Sequence, residues 1–217
     1  MYSVLGKSPD YNIYKEFTYD YIGTKTHEEL EERCNNGHSS LRFIEKLFQL
    51  KPECTILDLG CGSGFMCRDI LQNGRQAVGI DGWNIYQKYQ LGLWKQYPNN
   101  FFHADISQPF HILQDGQPTR FDVITSWDCL EHIHTDGIPQ VFNNIMQHSQ
   151  PGTLLICSIS TNPHFQVHRT IQTLRWWYDQ AKHTGFIIST ELAEYFRTDV
   201  VWYNPDFTLL LFGIKQP

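Results

Sequence analysis

Two short stretches carry the residue types that do chemistry. In the first, Leu57-Asp58-Leu59-Gly60-Cys61-Gly62-Ser63-Gly64-Phe65, three glycines alternate behind a carboxylate. Glycines so spaced let a main chain turn tightly and come close to a ligand. A helix beginning at Phe65 would aim free N–H groups and a positive dipole end at that ligand. A dinucleotide site wants G-x-G-x-x-G, with a pyrophosphate over the helix N-terminus. Here Phe65 takes the sixth position, and Asp58 would repel a pyrophosphate. The pair suits a ligand that carries a positive ammonium group; a plain strand–helix turn is the alternative. The second stretch is Asp128-Cys129-Leu130-Glu131-His132. One helical turn would bring Asp128, Glu131 and His132 to the same side, at i, i+3 and i+4. Such a set serves a pocket wall, a proton transfer or a divalent ion.

The bulk properties narrow the setting. The chain has 217 residues, 41% hydrophobic and 18% charged, which is globular rather than disordered. The net charge of −6 disfavours a grip on a long phosphate backbone, so nucleic acid is a disfavoured partner. Six cysteines occur and none forms C-x-x-C, so no zinc framework is visible and a reducing, cytoplasmic setting fits. No apolar run approaches the ~18 residues of a membrane span, and Met1–Lys7 has no signal-peptide apolar core.

The elements that must position these stretches follow from periodicity. Residues 1–38 read as irregular and Tyr-rich, with a polar helix over 26–35. Ser39-Ser40 can cap a helix whose face is Leu41, Ile44, Leu47 and Phe48. Strands are predicted at 55–60, 76–81, 100–106, 121–127, 153–159, 186–192 and 207–214. Helices are predicted at 65–72, 84–96 and 171–183, with another marked by Ile138, Val141, Phe142, Ile145 and Met146. Asp115-Gly116-Gln117-Pro118 and Asn204-Pro205-Asp206 read as turns. Alternation of this kind predicts an α/β fold, a doubly wound and mostly parallel sheet. No clear helix separates the last two strands, so they read as an antiparallel pair. Residues 1–50 read as an N-terminal helical or lid-like extension and 51–217 as the main domain.

Four further stretches fall at strand ends, where open α/β sheets bind ligands. These are Gly79-Ile80-Asp81-Gly82-Trp83, His103-Ala104-Asp105-Ile106, the exit Thr125-Ser126-Trp127-Asp128, and Pro151-Gly152 before the fifth strand. Asp81 stands about twenty residues past the glycine turn, where a carboxylate can accept both ribose hydroxyls. With the glycine turn, the set resembles the class I S-adenosylmethionine-dependent methyltransferases over about Thr55 to Ser160. The resemblance implies a Rossmann-like seven-stranded sheet of order 3-2-1-4-5-7-6, the C-terminal strand antiparallel. It implies S-adenosyl-L-methionine as cofactor, its methionine end held by Asp58, Gly60, Gly62 and Gly64. Asp81 would hold the ribose, with Gly82 and Trp83 near the adenine and Asp105 with Ile106 recognising it. Ser126 and Trp127 would line the floor beneath the sulfonium. Strand-end caps, loop turns and core aromatics are the competing readings of Asp81, Asp105, Trp83 and Trp127.

Methyl transfer from a sulfonium needs a positioned acceptor, dry surroundings and a base only where the acceptor loses a proton. The expected activity is transfer to an O or N atom of a compact small-molecule acceptor. His168, His132 and Asp128 are the catalytic candidates, with His168 the preferred proton acceptor over a solvated loop histidine. Many small-molecule methyltransferases carry a similar Leu-Glu-His stretch as pocket wall, so no metal is expected. The alternatives are a metal-dependent RNA 2′-O-methyltransferase, in which His164 or His168 would complete the metal set, and a non-catalytic module on the cofactor fold. An NAD-dependent oxidoreductase is opposed by Phe65 and Asp58.

Overall fold

The computed structural model describes residues 1–7, 26–36, 40–163, 167–199 and 208–217. Predicted features at Tyr11, Tyr14, Tyr19, Tyr21, Ser39, His164 and Asn204-Pro205-Asp206 lie outside them. The elements in chain order are β1 (Tyr2–Gly6), α1 (His27–Asn36), α2 (Leu41–Leu50), β2 (Thr55–Leu59), α3 (Phe65–Gln72) and β3 (Gln76–Asp81). Then come α4 (Ile85–Lys88), α5 (Leu93–Gln96), β4 (Phe101–His103), β5 (Phe110–Gln114), β6 (Gln117–Pro118) and β7 (Phe121–Trp127). The remainder are α6 (Ile138–Gln147), β8 (Ser149–Ser160), α7 (Leu174–His183), β9 (Phe186–Ile188), α8 (Thr190–Phe196) and β10 (Thr208–Lys215).

Successive strand side chains point to opposite faces, so strands that are apolar throughout need cover on both. Ile56 and Leu57 are wholly buried on β2 and belong to different clusters. Leu57, Val78 and Ile124 pack with Ile138, Val141 and Phe142 of α6 and Trp177 of α7. Ile56, Ala77 and Val123 pack with Phe43 and Leu47 of α2, Cys67 and Ile70 of α3, and Phe196 of α8. α2 begins as predicted at Ser40, whose hydroxyl accepts the Phe43 N–H at 3.3 Å.

The main sheet has seven strands in the order β4-β3-β2-β7-β8-β10-β9. β10 runs antiparallel to both of its neighbours. The other pairings are parallel. The expected strand order and antiparallel C-terminal strand are therefore present. The chain leaves β2 towards β3 on one side and returns with β7 on the other, which opens a crevice at their carboxyl ends. The register sets Asp58 opposite Gly79 of β3 and Thr125 of β7.

Several local readings differ from the structure: the strand predicted over 100–106 is only Phe101–His103, and the helix predicted over 171–183 begins at Leu174. The predicted helix over 84–96 is two short ones, because Gly92 has φ +51° and a Cβ there would meet the Cys34 carbonyl at 2.8 Å. The predicted strand over 186–192 stops at Ile188, and Ser189 caps α8 by accepting the Leu192 N–H at 3.2 Å. Residues 2–6, read as irregular, form β1 and pair antiparallel with β5. β1, β5 and β6 make a separate three-stranded sheet, with the predicted Asp115-Gly116 turn joining β5 to β6.

Candidate active site

The glycine turn is tied to its neighbour strand. The N–H groups of Gly60 and Cys61 both reach the Ile80 carbonyl, at 2.8 and 3.1 Å. Gly60, Gly62 and Gly64 have φ of +75°, +54° and +95°, a region that costs other residues about 1–2 kcal/mol. Their surroundings differ. A Cβ on Gly60 would lie 2.2 Å from the Cys129 sulfur, and one on Gly64 would lie 2.4 Å from the Phe101 ring. Among the described residues, a Cβ on Gly62 would meet only the Tyr86 hydroxyl, at 3.7 Å. Two glycines thus permit packing, and the middle one leaves a bare ledge before the N-terminus of α3.

Two carboxylates converge on this turn. Asp81 accepts the Gly62 N–H on Oδ2 and the Trp83 N–H on Oδ1, both at 2.7 Å. Burial lifts its pKa to about 6, although those two N–H groups hold it down. Asp58 is 2% exposed and accepts the Thr125 hydroxyl at 2.7 Å. Burial pushes its pKa up to about 7; the Thr125 bond lowers it and the Asp81 charge raises it. A buried carboxylate so destabilised is satisfied by a cation.

Aromatic rings back the ledge. Trp94 donates its indole N–H to the Gly62 carbonyl at 2.8 Å and stacks between Tyr86 and Phe101, with centroids at 6.1 and 5.5 Å. Trp83 meets Tyr86 edge-on at 5.6 Å. The Gly82 carbonyl lies 3.1 Å from His103 Nε2. Trp94 escapes the sequence reading, because an aromatic in a predicted helix is taken as core. Asp105 is nearly buried, and its Oδ1 accepts both the N–H and the hydroxyl of Ser107, at 2.8 and 2.6 Å. The Ile106 side chain is buried in the core, and its carbonyl accepts from Asn144 at 2.9 Å.

The exit of β7 forms the other wall. Ser126 is buried and donates to the Leu59 carbonyl at 2.9 Å. Trp127 packs edge-on against Phe43, and its buried indole N–H has no partner among the described residues. The predicted helical turn carrying Asp128, Glu131 and His132 on one face is absent. Asp128 has φ +42°, and only Leu130–His132 coil, as a 3-10 turn. The Asp128 carboxylate instead accepts the Ser158 hydroxyl at 3.1 Å, and burial raises its pKa. Glu131 is wholly buried and accepts the Ser160 N–H at 2.9 Å. His132 lies edge-on to His168, with centroids 5.0 Å apart. Burial lowers both imidazole pKa values, that of His132 to about 4, so both rings are neutral near pH 7. His132 also borders a cleft of about 480 Å³ that reaches Ser107, Gln108 and Asp136.

Residues 27–198 match the family model of the methyltransferase domain. The chain belongs to that family, the class I S-adenosylmethionine-dependent methyltransferases. Among curated relatives, a ubiquinone biosynthesis O-methyltransferase of Leptothrix cholodnii is 26% identical over 125 residues, 57% of this chain and 52% of that one. The chain thus spans about half the length of that relative. A TehB-like S-adenosylmethionine-dependent methyltransferase from Corynebacterium glutamicum shares the fold with a TM-score of 0.60 at 16% identity, over 91% of this chain and 92% of that one. A Burkholderia thailandensis 1,6-didemethyltoxoflavin-N1-methyltransferase, solved with its substrate and S-adenosylhomocysteine, has a TM-score of 0.57 at 14% identity. That match covers 91% of this methyltransferase and 86% of the Burkholderia chain. No helix among the described residues is long and apolar enough to cross a membrane.

The methyltransferase site fits the family's cofactor on its own geometry. S-Adenosylmethionine carries an ammonium and a sulfonium. Asp58 and Asp81 are buried carboxylates raised towards neutrality beside a ledge that only Gly62 leaves bare. The unpartnered Trp127 indole is a buried donor at the neighbouring strand exit.

Proposed function

We propose that the chain transfers a methyl group from S-adenosylmethionine to an oxygen or nitrogen atom of a compact small-molecule acceptor. One observation carries the cofactor half of this reading: two buried, proton-hungry carboxylates flank the open Gly62 ledge. On that basis Asp58, Gly60, Gly62 and Gly64 hold the methionine end, and Asp81 takes the ribose hydroxyls while pinning the turn. Gly82 and Trp83 flank the adenine, with Asp105 and the main chain at Ile106 recognising its edge. Ser126 and Trp127 form the floor. When bound, the cofactor supplies an electrophilic methyl group.

The chain's own part is to position the acceptor and keep water out. The acceptor side is the β7 exit, where Asp128, His132 and His168 stand together and the cleft bordered by His132 opens. Both imidazoles donate Nδ1–H to a main-chain carbonyl, His132 to Val167 and His168 to Asn162, at 3.3 and 2.9 Å. A neutral imidazole whose Nδ1–H is so engaged carries its lone pair on Nε2, the atom type that takes a proton or a metal ion. The curated relatives' name, ubiquinone biosynthesis O-methyltransferase, supports a small ring-bearing acceptor over a nucleic acid. The net charge of −6 points the same way.

The deciding experiment is a calorimetric titration with S-adenosylhomocysteine, with NADH as control, followed by turnover on a panel of phenols, catechols and amines. Micromolar nucleoside binding with methyl transfer to one acceptor class is expected. A folded protein that binds neither nucleoside, or NADH alone, would overturn the proposal.

A further inference from the structure

Glu131, His132 and His168 come together although thirty-six residues separate the histidines. One carboxylate oxygen and one nitrogen from each imidazole lie within 4.8 Å of one another. Glu131 is wholly buried. Its Oε1 accepts the Ser160 N–H, and its Oε2 has no hydrogen-bond partner among the described residues. A buried carboxylate oxygen left bare costs free energy unless a ligand satisfies it. The two imidazoles are half-buried, so the cluster is closed at the carboxylate and open at the rings.

The surroundings resemble those of a metal site more than those of a chance cluster. Metal-binding imidazoles characteristically have their second nitrogen fixed by a carbonyl or carboxylate, which orients the ring and sets the tautomer. Here Val167 and Asn162 supply those carbonyls. The Glu131 backbone is fixed as well, its carbonyl accepting the N–H groups of Arg169 and Thr170 at 2.7 and 3.0 Å. These bonds tie the segment carrying His168 to the turn carrying Glu131 and His132. Asp128 stays out of the set, because its carboxylate bonds Ser158.

We propose that Glu131, His132 and His168 bind one divalent transition-metal ion, with zinc or manganese the fitting class. Two imidazoles and one carboxylate suit zinc, a borderline ion, best; manganese is harder and takes the carboxylate readily, whereas calcium and magnesium prefer all-oxygen shells. Ligands at ~2.0–2.2 Å around a tetrahedral ion stand about 3.4 Å apart, so side-chain rotation closes the observed spacing. Three protein donors leave a coordination position open, as catalytic sites do. The ion's place beside a methyl acceptor rests on the function proposed above; the metal site itself does not.

The test uses the full chain stripped with chelator and titrated with ZnCl2 or MnCl2 by calorimetry, with bound metal counted by mass spectrometry. One ion per chain is expected. Loss of a ligand should weaken binding at least ~10- to 100-fold, the range for losing even an outer-shell partner. His132→Ala and His168→Ala, at half-exposed positions, serve beside Glu131→Gln in case the buried change unfolds the protein. Titration with S-adenosylhomocysteine is run on the same samples. No stoichiometric ion, or an ion indifferent to all three substitutions, overturns the metal site even where the nucleoside binds. Metal binding without nucleoside binding leaves the site standing and overturns the cofactor reading instead.

Discussion

The carboxylate of Asp81, at the end of β3, accepts the main-chain N–H of Gly62 at 2.7 Å, nineteen residues earlier in the chain. The same group holds the Trp83 N–H, so one side chain fixes the ledge and the loop that follows β3. Asp81→Ala removes both acceptors and the charge. S-Adenosylhomocysteine affinity should fall by ~1.5–3 kcal/mol, or roughly 10- to 150-fold. Asp81→Asn keeps one acceptor oxygen and should fall between. Calorimetry on variants shown to be folded by melting decides it. Unchanged affinity in Asp81→Ala would remove the ribose assignment.

With Asp58 against the cofactor's ammonium group, as proposed, cofactor binding should depend on pH. Its folded pKa of about 7 lies above the ordinary carboxylate range because it is buried. In the ligand-free protein this group therefore favours the fold at low pH, and that contribution is lost as pH rises through about 7. A cationic ligand reverses the preference, because it binds the charged carboxylate. Affinity for S-adenosylhomocysteine should be flat above pH 7 and fall below it by at most about tenfold per pH unit. Asp58→Asn should bind more weakly at pH 8 and lose most of the slope between pH 8 and 6. A wild-type affinity constant across that window would show that Asp58 does not meet the ligand's cation.

The three glycines should separate by phenotype. Gly60→Ala drives a methyl group into Cys129, and Gly64→Ala drives one into Phe101. Overpacking and left-handed strain together cost ~2–5 kcal/mol, a melting-temperature drop of ~5 °C or more. Gly62→Ala carries the left-handed strain but, among the described residues, meets only the Tyr86 hydroxyl at 3.7 Å, so it should melt closer to wild type than the other two and lose chiefly nucleoside affinity. Melting and calorimetry on all three check this. Equal destabilisation at the three positions would mean that the ledge is packing and not a binding surface.

How much of this was legible depends on whether the signal is local. α3, β3 and β7 have the predicted ends, because each is a continuous apolar or amphipathic run bounded by glycine, proline or a carboxylate. Asp58 and Asp81 stand out by strand-end spacing alone. β1 does not: its alternation is short, and the partner that pairs it lies in β5, over a hundred residues away. α8 hides behind an apolar strand signal, although Ser189 and Glu191 mark a helix start. At the β7 exit the i, i+3, i+4 spacing presumes a helix that Asp128, with positive φ, never begins. The meeting of Glu131 and His132 with His168 enters the sequence reading only through the metal-dependent alternative; in the structure it is a tertiary fact, held by main-chain bonds from Arg169 and Thr170. Trp94 is invisible because only the packing of α5 brings its indole N–H to the Gly62 carbonyl.

Trp94 supplies the last test, because its ring and its N–H do separable things. The ring fills the space between Tyr86 and Phe101, and the N–H satisfies the Gly62 carbonyl on the ledge. Trp94→Phe keeps an aromatic ring and deletes the donor. The Gly62 carbonyl is half-buried and keeps the Cys61 thiol at 3.8 Å, so losing the indole donor costs ~0.5–1.5 kcal/mol, and the smaller ring adds a cavity penalty. If the N–H holds the ledge in its binding shape, the nucleoside complex should lose more stability than the ligand-free protein. The melting shift produced by saturating S-adenosylhomocysteine should then be smaller in Trp94→Phe than in wild type. An undiminished shift on a uniformly destabilised protein would assign Trp94 to packing alone and leave the Asp81 bond as the main tie on Gly62.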